Sequence, residues 1–64
     1  MFQNLQAEMA RRKLTGRELA KVLGLSEVSF YNKMNGHREW KLKEMEQIKG
    51  ALNTDAPYEY LFKR

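Results

Sequence analysis

The sequence predicts a compact all-α fold: one domain of five short helices that spans residues 1–64. Apolar residues recur at intervals of three and four along most of the chain, which is the spacing of helices packed on a core. Capping residues and glycines separate these stretches, and no stretch shows the alternating pattern of a β-strand. A chain of 64 residues has room for one small domain with a thin core.

The first two helices are indicated by apolar spacing and by a capping motif. Over residues 2–12, apolar side chains recur three and four positions apart, which predicts an amphipathic helix. Thr15 and Glu18 match a capping box, in which each side chain binds the backbone amide of the other residue. We therefore expect a second helix to begin after Thr15 and to end at Gly24, where glycine tolerates a left-handed backbone.

Three further helices follow at short intervals. Ser26 is a favoured N-cap, so a third helix is expected to begin there and to close at Gly36. Apolar spacing predicts a fourth helix over residues 42–52. Asp55 and Pro57 predict the cap and the first turn of a fifth helix. Five residues are expected to form core without binding any ligand: Phe30, Met34, Trp40, Met45 and Ile48.

The positive charge is concentrated in the middle of the chain. Twelve Lys and Arg stand against eight Asp and Glu, which gives a net charge of +4. Residues 11–43 hold nine of the basic residues and only three glutamates, so the remainder of the chain is slightly acidic. This asymmetry is typical of a face that binds a polyanion, and also of basic surfaces that bind nothing. Charge alone leaves both interpretations open.

The residue inventory excludes several classes of protein. Cysteine is absent, His37 is the only histidine and Asp55 is the only aspartate. These groups cannot form a catalytic triad, a thiol site or a metal-ligand set, so we expect no enzyme, metal, cofactor or small-molecule ligand. Polar residues interrupt the first dozen positions, and no run approaches the roughly 20 apolar residues of a membrane span. We expect a cytoplasmic protein.

The predicted third helix has two different faces. Phe30 and Met34 share the face that packs on the core, whereas the opposite face carries short polar groups and a methyl pair. Asparagine, carboxylate and methyl groups are suited to adenine, cytosine and thymine edges respectively. The outward residues are Glu27, Val28, Tyr31, Asn32 and Asn35. Basic residues that flank this face and are placed to bind phosphates are Arg17, His37, Arg38, Lys41 and Lys43.

Residues 15–36 resemble the helix-turn-helix of the lambda-repressor-like family, also called the xenobiotic response element family. The resemblance rests on Leu19-Ala20, Leu23-Gly24-Leu25-Ser26 and Asn35-Gly36. Residues 30–36 followed by Trp40 are similar to short regulators of temperate phages and mobile elements of Gram-positive bacteria. The resemblance covers nearly the whole chain. It implies a five-helix domain whose second and third helices form the helix-turn-helix.

The resemblance also implies roles for individual residues. Base contacts are expected from Ser26, Glu27, Val28 and Asn32. With the charge pattern, the expected phosphate contacts are Thr15, Arg17, Ser29, Tyr31, Lys33, Asn35, His37, Arg38 and Lys41. Gly16 stands where the family usually has a glutamine that contacts a phosphate, so Arg17 or the helix amides are expected to replace it. Lys33 stands at an aliphatic core position, and we expect it to extend outward while Met34 and Trp40 fill the space.

Several of these residues have a second interpretation. Glu27 contacts a cytosine or complements the helix dipole at the first turn. Tyr31 lies over a phosphate, contacts a sugar or stays free. His37 contacts a phosphate or is simply exposed. At the C-terminal end, Tyr58, Tyr60, Leu61 and Phe62 form a weak homodimer contact or close the thin core.

Together these features predict a transcriptional regulator that binds double-stranded DNA. The third helix is expected to enter the major groove, and the simplest mechanism is a repressor that occupies a promoter. Two copies on a pseudo-palindromic operator would contact half-sites about 34 Å apart. The alternative is a protein-interaction module of antitoxin or antirepressor type, because a fold does not determine a function. A continuous apolar patch on the third helix would favour that alternative.

Overall fold

The computed structural model describes residues 1–64 and contains five helices and no strand. It confirms the predicted all-α fold. No helix has both the length and the apolar character needed to cross a lipid bilayer. The helices are α1 (Gln3–Arg11), α2 (Gly16–Leu23), α3 (Glu27–Met34), α4 (Leu42–Leu52) and α5 (Tyr58–Leu61).

The start of α2 and the turn between α2 and α3 are formed by the capping residues that the sequence predicts. The Thr15 hydroxyl accepts a hydrogen bond from the Glu18 amide at 3.1 Å, and the Glu18 carboxylate accepts one from the Thr15 amide at 2.9 Å. Gly24 ends α2 in the left-handed conformation, with φ of 73°. The Ser26 hydroxyl then accepts from the Ser29 amide at 3.1 Å and starts α3. The two helices are therefore joined by a short, fully specified turn.

The core is built by side chains from all five helices. Phe30 lies at its centre with no exposed surface, and its ring meets Trp40 edge to face at a centroid distance of 5.6 Å. Met34 and Ile48 are buried as predicted, and Trp40 is half-buried against the cluster. Met45 was expected in the core, but it is only half-buried and lies outside the cluster. The buried apolar residues are Phe2, Leu5, Met9, Leu19, Ala20, Phe30, Met34, Ile48, Leu52 and Leu61.

The start of α5 differs from the prediction. Asp55 is not the cap of this helix, which begins at Tyr58 after the extended residue Pro57. The preceding turn is closed by the Thr54 hydroxyl, which accepts from the Ala56 amide at 3.1 Å. Because that turn supplies its own hydrogen bond, the chain reaches Pro57 still extended and the helix starts two residues later than predicted.

A buried glutamate joins α1 to the C-terminal half of the chain. Glu8 accepts hydrogen bonds from Arg11, from Arg12 at 2.6 Å and from the Tyr60 hydroxyl at 3.1 Å. Arg12 also donates from Nε to the backbone carbonyl of Leu52, at the end of α4. The hydrogen bond from Arg12 is the largest of several effects that lower the pKa of Glu8, and burial opposes it. The network holds α1, α4 and α5 together.

The C-terminal residues close the core. Leu61 has no exposed surface, and Phe62 is half-buried against the core cluster. Tyr58 is half-buried beneath the Lys49 ammonium, which lies 4.8 Å from its ring centroid. Tyr60 is exposed over about a third of its surface, but its hydroxyl is bound to Glu8. Leu61 therefore has no surface to offer a second copy of the chain.

Candidate nucleic-acid interface

Helix α3 presents a polar face to solvent. Phe30 and Met34 fix the helix on the core, so the side chains on its opposite side must point outward. Val28 is 72% exposed and Tyr31 is 47% exposed. The structure thereby confirms the outward position of this face. Glu27 and Asn35 are also exposed, and Asn32 is half-buried.

The four residues expected to contact bases lie in the first half and the middle of α3. Ser26 is committed to capping, because its hydroxyl binds the amide and the hydroxyl of Ser29. Glu27 follows in the first turn with its carboxylate exposed and outside every ion pair of the structure. Val28 and Asn32 are four residues apart and lie on one side of the helix. Two hydrogen-bonding groups and one apolar group are thus presented side by side.

The loop after α3 fixes two basic side chains beside this face. The backbone carbonyl of Asn32 accepts from the amides of His37 at 2.8 Å and Arg38 at 3.3 Å. Gly36, with φ of 81°, permits the tight reversal that these bonds require. His37, Arg38 and the nearby Lys41 are all exposed. A rigid backbone therefore places exposed donors at the C-terminal end of α3.

The other expected phosphate contacts lie at the start of α2 and along the edge of α3. Arg17 is exposed in the first turn of α2, next to the exposed cap residue Thr15. An open groove between α3 and α4 is lined by polar groups that include Ser29, Arg38 and Lys41. Arg17 also lines a shallow groove with Glu27, at the start of α3. Exposed cations therefore stand at both ends of α3, which is the arrangement needed to contact the phosphates on either side of a groove.

Lys33 does not belong to this exposed set. The prediction that it extends outward is wrong: it is 7% exposed, and its ammonium lies 2.5 and 2.6 Å from the two carboxylate oxygens of Glu44. The ammonium also lies 5.9 Å from the centre of the Trp40 ring. Because Glu44 supplies a counter-charge at the edge of the core, the lysine is stabilised there instead of in solvent.

Glu44 connects α3 to the first turn of α4. In addition to Lys33, it accepts a hydrogen bond from the Lys41 amide at 2.9 Å, as in a capping box. Burial raises the pKa of Glu44, but the hydrogen bonds from Lys33 and Lys41 and their positive charges outweigh burial, so the pKa is lowered. This ion pair was not predicted from the sequence. Its only signal is a lysine at an apolar position of one helix and a glutamate in the first turn of the next.

Comparison of the sequence with protein-family models identifies the family of this chain. The model of the BetR domain matches residues 3–64, which is nearly the entire chain. The chain belongs to the BetR domain family. It is thus a small DNA-binding regulatory domain of the helix-turn-helix type, and α2 and α3 supply the two helices. No curated protein and no solved structure shows significant similarity to this BetR domain.

Proposed function

We propose that this BetR domain is a sequence-specific transcriptional regulator that places α3 in the major groove of double-stranded DNA. The observation that carries the proposal is the composition of α3 and its flanks. Hydrogen-bonding and methyl groups lie on the outward face of the first half and middle of the helix, and exposed cations flank both of its ends. Base edges are contacted by the first kind of group and phosphates by the second. This role is one of binding without catalysis.

The distribution of free charge supports a polyanion as the partner. The Lys33 charge is neutralised by Glu44, so it adds nothing to the net positive charge of the surface. Arg11 and Arg12 are likewise paired with Glu8. The other six cations of residues 11–43 are exposed and belong to no ion pair, and they are Lys13, Arg17, Lys21, Arg38, Lys41 and Lys43. An exposed basic surface of this kind attracts the phosphate backbone irrespective of base sequence.

The finer role we propose is that of a repressor of the phage or mobile-element type, acting in the cytoplasm by occupying a promoter. Two copies on a pseudo-palindromic operator would raise the affinity. Of the four residues expected to form the pairing contact, Leu61 is buried, which leaves Tyr58, Tyr60 and Phe62. Two of these side chains are half-buried and the third is bound to Glu8. Pairing in solution is therefore expected to be weak.

Selection from a random duplex library tests the function directly. The purified protein is incubated with the library at physiological salt, and the retained duplexes are sequenced after several rounds. A two-fold symmetric motif is the expected result, and it supplies the operator for the variants below. A correctly folded protein that enriches no motif would contradict the proposal and favour the protein-interaction module.

Asn32→Ala is expected to lose discrimination at one base pair of the selected operator. The side-chain amide lies on the outward face of α3, where it is suited to adenine. The loss should be on the order of 1 to 3 kcal/mol for the preferred base, with little change for unrelated duplexes. Binding to a panel of single-base operator variants measures it. Gln47→Ala, which removes an exposed amide from α4, is the control. An equal loss on every sequence would refute base contact by Asn32.

Arg38→Ala is expected to weaken binding to all duplexes alike. The exposed guanidinium is held beside α3 by the loop backbone and carries no sequence information if it binds phosphate. The slope of log K against log salt concentration should become shallower by about one. Lys63→Ala removes the same charge beyond α5 and should leave the slope unchanged. A normal slope for Arg38→Ala would exclude a phosphate contact.

A further inference from the structure

We propose that Gly16 is a positioning residue for DNA binding, because the space left by its missing side chain holds the Tyr31 ring against α2. Gly16 is the first residue of α2, and Tyr31 lies on the outward face of α3. The inference rests on the proposed function, since it concerns how the DNA-binding face keeps its shape.

The contact between Gly16 and Tyr31 leaves no room for a side chain. A Cβ atom at Gly16 would lie 2.6 Å from Cζ of Tyr31 and closer still to the Tyr31 hydroxyl oxygen. It would also lie 3.0 Å from Cε2 of Phe30. Non-bonded carbon atoms need about 3.5 Å or more. Any other residue at this position must therefore displace Tyr31, since Phe30 is enclosed by the core.

No feature of the backbone demands glycine at this position. Gly24 and Gly36 have positive φ values, which explains them without reference to neighbours, whereas Gly16 does not. Gly50 also lies inside a helix, but a Cβ there would meet nothing within 4 Å. Among the glycines in helices, only Gly16 has its side-chain space occupied by another residue. The glycine is therefore explained by Tyr31.

Tyr31 is held on two sides and open on the third. Its ring meets Phe30 edge to face, at a centroid distance of 5.3 Å and an angle of 85°, and its hydroxyl lies on the first turn of α2. It is nevertheless 47% exposed. In this position, the ring bridges α2 and α3 and stays beside the surface that Val28 and Asn32 present. A Cβ at Gly16 would push the ring outward, into the space that the bound DNA has to occupy.

This geometry predicts that Gly16→Ala impairs DNA binding more than it impairs folding. Tyr31 can swing into solvent, and alanine favours a helix more than glycine does, so the fold is retained. The displaced ring should lower the affinity for the selected operator about tenfold or more, which corresponds to about 1.4 kcal/mol. Gly50→Ala is the matched control, with unchanged operator affinity and a higher melting temperature. Circular dichroism and operator titration of both variants measure these effects.

A double variant separates an effect through Tyr31 from a general defect. Tyr31→Ala removes the ring, so adding Gly16→Ala should then cost no further operator affinity. The two variants should also be non-additive in thermal unfolding without DNA, because the collision of the new Cβ with the Tyr31 ring is absent when the ring is removed, whereas its close contact with Phe30 is the same in both backgrounds. Operator affinity equal to wild type for Gly16→Ala, or additive losses in the double variant, would overturn the inference.

The two proposals can fail separately. If the wild-type protein enriches no DNA motif, the proposed function fails. Thermal unfolding of Gly16→Ala, Tyr31→Ala and the double variant still tests the contact between Gly16 and Tyr31. If Gly16→Ala raises the melting temperature as much as Gly50→Ala does, with Tyr31 present or absent, Tyr31 is not held by Gly16. In that case the inference fails, whatever the protein binds.

Discussion

Phe30→Ala should leave the domain largely unfolded at 25 °C. Phe30 has no exposed surface, and its ring packs against Trp40 and Tyr31. Truncation of a buried phenylalanine costs about 3 to 5 kcal/mol, because the lost burial and the resulting cavity add up. Small domains have total stabilities near the lower end of about 5 to 15 kcal/mol. The substitution therefore removes most of the free energy of unfolding.

Circular dichroism during thermal and urea unfolding measures this effect. Phe30→Leu fills most of the same space and should retain a cooperative transition at a lower midpoint. Val28→Ala, on the exposed side of the same helix, should change stability by no more than about 0.5 kcal/mol. Native helicity and a wild-type transition in Phe30→Ala would show that the core is not centred on this residue.

The fold was predictable because its signals are local. The Thr15 and Glu18 capping box, the Gly24 turn and the Ser26 cap each involve residues within four positions of one another, and all three are confirmed. The division of α3 into a core face and an outward face follows from the helical period alone. Its orientation is confirmed by the burial of Phe30 and the exposure of Val28.

The features that were missed depend on contacts between distant segments. Lys33 and Glu44 come from different helices, and Glu8 and Tyr60 are separated by 52 positions. A helical wheel treats Lys33 as a misplaced charge, because the counter-charge is visible only when α3 and α4 are packed. The Tyr31 contact with Gly16 is hidden for the same reason. The base and phosphate contacts of individual residues are still predictions.

Glu44→Gln is expected to destabilise the domain by about 3 kcal/mol, which is typical of breaking a buried ion pair. The variant leaves the Lys33 ammonium at the edge of the core without its carboxylate partner. Lys33→Met together with Glu44→Gln removes both charges, so the double variant should recover much of the lost stability. Urea unfolding of Lys33→Met, Glu44→Gln and the double variant gives the coupling free energy between the two side chains. Lys43→Met with Glu46→Gln, at exposed positions of the same helix, is the control and should be nearly neutral.

The pH dependence of unfolding provides an independent test of the same pair. The pKa of Glu44 is lowered below its ordinary value of 4.5 in the folded domain. The ionised carboxylate therefore contributes stability that is complete above pH 4.5 and is lost as the pH falls through the lowered pKa. The contribution of Glu8 to the free energy of unfolding is also lost on acidification, but it is lost equally in wild type and in Glu44→Gln. The difference in unfolding free energy between these two proteins should consequently shrink on acidification. A difference that stays constant from pH 7 to about pH 2 would mean that the Glu44 charge does not hold α3 against α4.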